Sequence, residues 1–135
     1  MDYSKITGYE AACADQGRDP NRRPDLSMLE PGLAKFLNAA FELAVINRSL
    51  NKGEDGKVKK AVWTGKEWNH YPWFNVKGAT KANPSGSGLS LVGVVDGDSS
   101  TFVASRLTTR EEEASEYSAK QFKQLWEDFI LDLED

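Results

Sequence analysis

The segment that follows Pro31 constrains the fold most strongly, because its apolar residues recur at helical spacing. Between positions 39 and 46 only Glu42 is charged. Proline is favoured at the first helical position, and the polar stretch 52–60 with its two glycines predicts that the helix ends near Asn51. A helix this apolar must be covered on most of its surface, so we expect it to be the central element of the core.

Two further helices are predicted by capping-box spacing, in which a threonine is followed three residues later by a glutamate. The first pair, Thr7 and Glu10, precedes an alanine-rich segment. The second pair, Thr109 and Glu112, precedes a broad stripe of aromatic and aliphatic residues. This stripe predicts one last helix over 109–133.

The region between these helices has the sequence pattern of two β-hairpins. In the first hairpin, 61–63 and 68–76 are rich in β-branched and aromatic residues and flank a polar loop. In the second, 89–95 and 101–107 flank Asp96-Gly97. Asp-Gly is a strong signal for a two-residue hairpin turn, so the turn is predicted there.

We therefore predict one α+β domain over 1–135, with helices packed on one face of a small antiparallel sheet. It consists of a helical half over 4–51, β-hairpins over 60–107 and the last helix. The predicted order is α-α-β-β-β-β-α, with three helices and about four strands. A chain of 135 residues buries enough surface to fold without a disulfide or a metal.

The cysteine count and the N-terminus restrict the compartment and the cofactors. Cys13 is the only cysteine, which excludes an intramolecular disulfide and a multi-cysteine zinc site. The first residues have no basic region followed by an apolar run, and no stretch is long enough to cross a bilayer. The small-residue run 84–88 lacks the Lys-Ser/Thr ending of a phosphate-binding loop. We expect a cytoplasmic protein with no cofactor, no metal and no membrane contact.

Side chains for enzymatic chemistry are scarce. His70 is the only histidine, and a lone histidine on a strand more often has a structural or surface role than a catalytic one. Cys13 lies in the alanine-rich segment, where a small buried thiol is the expected role. The residues favour a protein that is not an enzyme, and they leave a Cys13–His70 pair open.

Aromatic residues crowd between positions 63 and 74. Strand alternation places Trp68 and Phe74 on one side, with Tyr71 and Trp73 on the other. Exposed rings beside lysines suit a platform for single-stranded nucleic acid, tryptophan and tyrosine are enriched at protein interfaces, and core packing is the third interpretation. The candidate binding surface comprises Trp63, Trp68, His70, Tyr71, Trp73, Lys60, Lys66, Lys77 and Arg106.

The charge distribution helps to distinguish a protein partner from a nucleic acid. The net charge is −4, and the acidic excess lies in the last third, which disfavours tight sequence-independent DNA binding. The leading hypothesis is an interaction module that contacts a protein partner through the aromatic hairpin or the acidic last helix. The alternative is a weak binder of single-stranded nucleic acid. The apolar end of the last helix also leaves a homodimer open.

Several short motifs together resemble small proteins of Bacteroidetes and their phages. They are Tyr71-Pro72-Trp73-Phe74, then Ser105-Arg106-Leu107, a helix with Glu113, Ala114, Tyr117, Lys120, Phe122 and Leu125, and an N-terminal Pro24 to Ser27 before the apolar helix. The loop 78–88 departs from this pattern in its many small residues. The resemblance implies a phage or prophage accessory protein and carries over no catalytic residues.

Overall fold

A computed structural model of the chain describes residues 2–75, 90–97 and 105–131. In these ranges the fold is α+β, as predicted, with four α-helices and a two-stranded antiparallel sheet. The prediction of three helices and about four strands is therefore wrong. The elements are α1 (Tyr9–Gln16), α2 (Pro31–Leu50), β1 (Asn69–Asn75), β2 (Ser90–Gly97), α3 (Glu112–Gln121) and α4 (Lys123–Ile130), with short 3-10 turns at Tyr3–Lys5 and Ser105–Leu107.

Helix α2 confirms the main prediction from the sequence. It begins at Pro31, and at its other end the backbone N–H of Asn51 donates to the Asn47 carbonyl. Leu43 and Ile46 are fully buried in the hydrophobic core, and α1 and α4 both pack on α2. The apolar face of α2 therefore organises the core, as its periodicity predicts.

Helix α1 forms where expected, but its predicted capping box does not. The N-cap is Gly8, which makes no side-chain cap, so Glu10 occupies the second helical position instead of the third. The capping box needs the third position, and the shift by one residue removes it. The helix ends at Gly17, whose φ of 63° is the left-handed conformation that glycine adopts most readily.

The predicted last helix is two helices, because the chain breaks at Phe122 (φ −113°, ψ 36°). The break brings the Trp126 indole Nε1 to 3.2 Å from the Ser118 hydroxyl. In a straight helix these residues would lie about 12 Å apart along the axis. The N-cap of α3 is Glu111 and not Thr109 as predicted. The backbone of Thr109 instead pairs with that of His70.

The sheet differs from the predicted pair of hairpins in three places. Asp96 and Gly97 lie within β2, where Gly97 pairs with Asn69, and they do not form a turn. Residues 61–63 form no strand. Of the predicted strand 101–107, only 105–107 is described, and it is a 3-10 turn.

Candidate interaction surface

Strand β1 has two unlike faces. Phe74 packs into the core, with its ring centroid 5.8 Å from that of Trp126. By strand alternation, Asn69, Tyr71 and Trp73 share the opposite face. Asn69 and Tyr71 are buried, at 0% and 6% exposure, whereas Trp73 is 60% exposed. Other parts of the protein therefore pack over this face as far as Tyr71 and leave Trp73 exposed.

Trp73 stands beside open space because its cross-strand partner is Gly93. A Cβ atom added at Gly93 would meet nothing within 4 Å. Side chains directly opposite each other on paired strands normally touch, so the absence of a side chain at Gly93 leaves one edge of the indole accessible. Immediately after this pair, Phe74 is opposite Leu91, which makes Val92 the extra residue of a bulge in β2.

The loop before β1 is fixed by the side chain of Asn69. Its Nδ2 donates to the Val62 carbonyl at 2.6 Å, and its Oδ1 accepts from the Val62 N–H at 3.2 Å. A carboxamide offers the same donor and acceptor as a peptide group. Asn69 therefore takes the place of a neighbouring strand, which is why 61–63 is held in position without forming one.

Two further contacts complete the surroundings of Asn69. Its Nδ2 also lies 3.4 Å from the Gly97 carbonyl, and its Oδ1 accepts from Arg110 Nη1 at 2.8 Å. Arg110 is itself held by Asn51, whose Oδ1 accepts the Arg110 N–H and whose Nδ2 donates to the Thr108 carbonyl. Two asparagine side chains thus join the loop, the sheet and the segment that leads into α3.

The other candidate residues fall into separate groups. Trp68 is 54% exposed, and Lys60, Lys66 and Arg106 are exposed. Trp63 is half-buried, and its indole Nε1 donates to the Ser105 hydroxyl at 2.9 Å.

Two of the remaining candidates differ from these. Tyr71 is buried and cannot be part of an exposed surface, and Lys77 lies outside the described residues.

His70 and Cys13 occupy different settings. The Nδ1 of His70 is hydrogen-bonded to the Asp96 carboxylate, its cross-strand partner. Cys13 is fully buried in the hydrophobic core, in agreement with the role expected for it. No contact between Cys13 and His70 occurs among the described residues. The same ranges contain no group of three or more histidine, cysteine, aspartate or glutamate side chains that could hold a metal ion.

A polar cleft of about 540 Å³ lies beside the C-terminal end of α2. Its walls carry charges of both signs from the loop after α2 and from the segment before α3. Burial and the nearby Glu111 and Glu113 carboxylates raise the pKa of Tyr3 above its ordinary value. The sequence contained no motif for this cleft, because its walls come from positions far apart along the chain. They include Tyr3, Lys52, Glu54, Asp55, Lys59 and Arg110.

An apolar patch is exposed where α2 meets α4. The rings of Phe36 and Phe129 stack with their centroids 5.4 Å apart, and Leu33, Leu37 and Ile130 are each more than a third exposed. This patch is distinct from the Trp73 face, because it lies on helices and not on the sheet.

No family model, no curated protein and no solved structure matches this chain. The resemblance to small proteins of Bacteroidetes and their phages therefore stays a prediction. Within the described ranges, none of the helices combines the length and the apolar character needed to cross a membrane.

Proposed function

We propose that this protein is a non-enzymatic interaction module, and that Trp73 anchors its contact with a protein partner. The observation that carries the proposal is the 60% exposure of Trp73 on a strand whose neighbouring residues are buried. A large aromatic side chain that is left exposed on a rigid element is typical of an interface hot spot. The open space at Gly93 gives a partner side chain room beside the indole.

The arrangement of the tryptophans favours a protein over a nucleic acid at this face. Trp68 and Trp73 are five positions apart, which corresponds to about 17 Å along an extended chain. Trp68 also lies in the loop that precedes β1, whereas Trp73 lies within the strand. A platform for single-stranded nucleic acid needs rings that stack on successive bases along one groove, and these two rings do not meet that requirement.

The burial of Cys13 supports a non-enzymatic role. Its thiol is fully buried in the core. A thiol that reacts must be accessible and deprotonated, so burial supports a structural role. The reduced, unpaired cysteine is also in keeping with a cytoplasmic location, which we include in the proposal.

The proposal is tested by photo-crosslinking in cells of the natural host. A benzoylphenylalanine at position 73 keeps an aromatic ring there and should crosslink one discrete protein. The matched control is the same residue at position 121, an exposed position at the end of α3. With the partner identified, Trp73→Ala should weaken binding about 30-fold, because a hot-spot tryptophan contributes about 2 kcal/mol or more. Equal crosslinking at the two positions would refute the proposal.

The second candidate function is weak binding of single-stranded nucleic acid by the loop around Trp68. The exposed Lys60 and Lys66 in the same segment favour it. A mixed-sequence oligonucleotide should then quench tryptophan fluorescence, and Trp68→Ala should abolish the quenching while Trp73→Ala retains it. The affinity should also fall steeply with salt, because each lysine–phosphate contact releases counterions. No quenching at low salt would exclude this candidate.

A further inference from the structure

Two buried polar atoms at the contact between α2 and α3 have no partner. Asn47 on α2 and Ser115 on α3 are each only 1% exposed. In the described part of the chain, neither Asn47 Nδ2 nor Ser115 Oγ has a hydrogen-bond partner. Leaving such atoms unpaired costs their full desolvation, and for this reason buried polar groups in folded proteins almost always have a partner.

The hydrogen bonds around them show that Asn47 of α2 faces the side of α3 on which Ser115 lies. Asn47 Oδ1 accepts from the Ser118 hydroxyl at 3.1 Å, and that hydroxyl accepts from Trp126 Nε1 at 3.2 Å. Ser115 precedes Ser118 by three residues, so the two serines lie on one helix face with Cβ atoms about 5–6 Å apart. The Asn47 carboxamide is bonded to Ser118 and therefore lies beside the helix face that also carries Ser115. Two hydrogen bonds through one water molecule can join atoms about 5.6 Å apart.

Rotating the Asn47 carboxamide by half a turn, which exchanges its oxygen and nitrogen, still leaves one of its polar atoms without a partner. The Ser118 hydroxyl would then accept from both Asn47 and Trp126, and its own hydrogen would lose its acceptor. The Asn47 oxygen would take the place of Nδ2 and would itself be unpartnered. One polar atom of Asn47 therefore needs a partner from outside the described protein atoms in either orientation.

We propose that a single water molecule is bound between Asn47 Nδ2 and Ser115 Oγ as a permanent part of the α2–α3 contact. Its oxygen accepts an N–H of Asn47, and Ser115 supplies the second hydrogen bond. The water extends the hydrogen-bonded series that already joins Asn47, Ser118 and Trp126. Internal waters at polar sites of this kind typically make about three hydrogen bonds and are retained as part of the structure.

The test is an NMR measurement of water–protein nuclear Overhauser effects on the full chain. The Asn47 carboxamide hydrogens should show a cross-peak to water with the negative sign that long-lived internal waters give and rapidly exchanging surface waters do not. Ser115→Ala should abolish it, whereas Ser27→Ala, at an exposed serine, should leave it unchanged. Since alanine is a better helix former than serine, the Ser115→Ala protein should fold.

The melting temperature provides a second readout. If the Ser115 hydroxyl binds the water, Ser115→Ala should lower the melting temperature, because the loss of a buried hydrogen-bonding partner outweighs the gain in helix propensity. If the hydroxyl is dry and unpaired, its removal should raise the melting temperature. The proposal is overturned by a wild-type protein without the cross-peak, by a cross-peak that persists in Ser115→Ala, or by a rise in melting temperature.

Discussion

Replacing Asn69 should reveal how strongly one side chain holds the loop to the sheet. Asn69→Ala removes four hydrogen bonds, two to Val62 and one each to Gly97 and Arg110. At a net value of about 1 kcal/mol each, they sum to about 4 kcal/mol. Water can replace the lost partner at half-buried Val62, so we expect a loss of about 3 kcal/mol in the free energy of unfolding.

A second variant separates the donors of Asn69 from its acceptor. Asn69→Asp keeps the oxygen that accepts from Val62 and Arg110, but it loses both donors and sets a carboxylate oxygen against two carbonyl oxygens. The charge-assisted bond to Arg110 offsets part of this loss. We expect Asn69→Asp to cost about 2 kcal/mol, less than the alanine variant.

Urea denaturation followed by tryptophan fluorescence measures these differences, since the midpoint shifts while the slope stays constant. The control is Asn21→Ala, at an exposed position where a change within about 0.5 kcal/mol is expected. A loss below about 1 kcal/mol for Asn69→Ala would show that the loop does not depend on this side chain, and the argument would be refuted.

Three further predictions rest on other parts of the structure. Gly17→Ala should cost about 1 kcal/mol in urea denaturation, because the φ of 63° strains any residue with a Cβ; an unchanged midpoint would contradict this. Gly93→Thr should instead stabilise by about 0.5–1 kcal/mol in the same assay, since open space and an ordinary φ allow a new cross-strand contact with Trp73. Burial raises the pKa of Tyr3 and Tyr117, with a further contribution from nearby carboxylates. The folded state therefore holds these protons more tightly, and stability should fall as the pH rises from about 10 through the folded pKa values. In stability measurements against pH, Tyr3→Phe should flatten this alkaline loss.

Local sequence signals identified the elements whose determinants are close together in the chain. The apolar period after Pro31 predicted α2, because one helix face must be buried whatever covers it. The lone Cys13 in an alanine-rich segment predicted a buried thiol, and the structure confirms it. The existence of the C-terminal helices was also predictable from the apolar stripe, although their division at Phe122 was not.

The predictions failed where a contact with another segment of the chain competes with the local pattern. The segment 61–63 has the composition of a strand, but Asn69 binds both backbone groups of Val62. Asp96-Gly97 is a turn signal, yet these residues pair with β1. Thr109 pairs with His70 and therefore does not cap α3. In each case the segment makes a contact with another part of the chain, and this contact replaces the structure that the local sequence pattern predicts.

The candidate site shows the same division. The sequence by itself determined that aromatic residues crowd around positions 68–74 and that a single cysteine permits no intramolecular disulfide. Only the tertiary structure decided which rings are exposed. Tyr71 is buried while Trp73 is exposed on the same face of β1, and Gly93 opposite leaves the indole open. Alternation sets the face on which a side chain lies, but burial depends on what packs against that face, and this is decided by residues distant in the sequence.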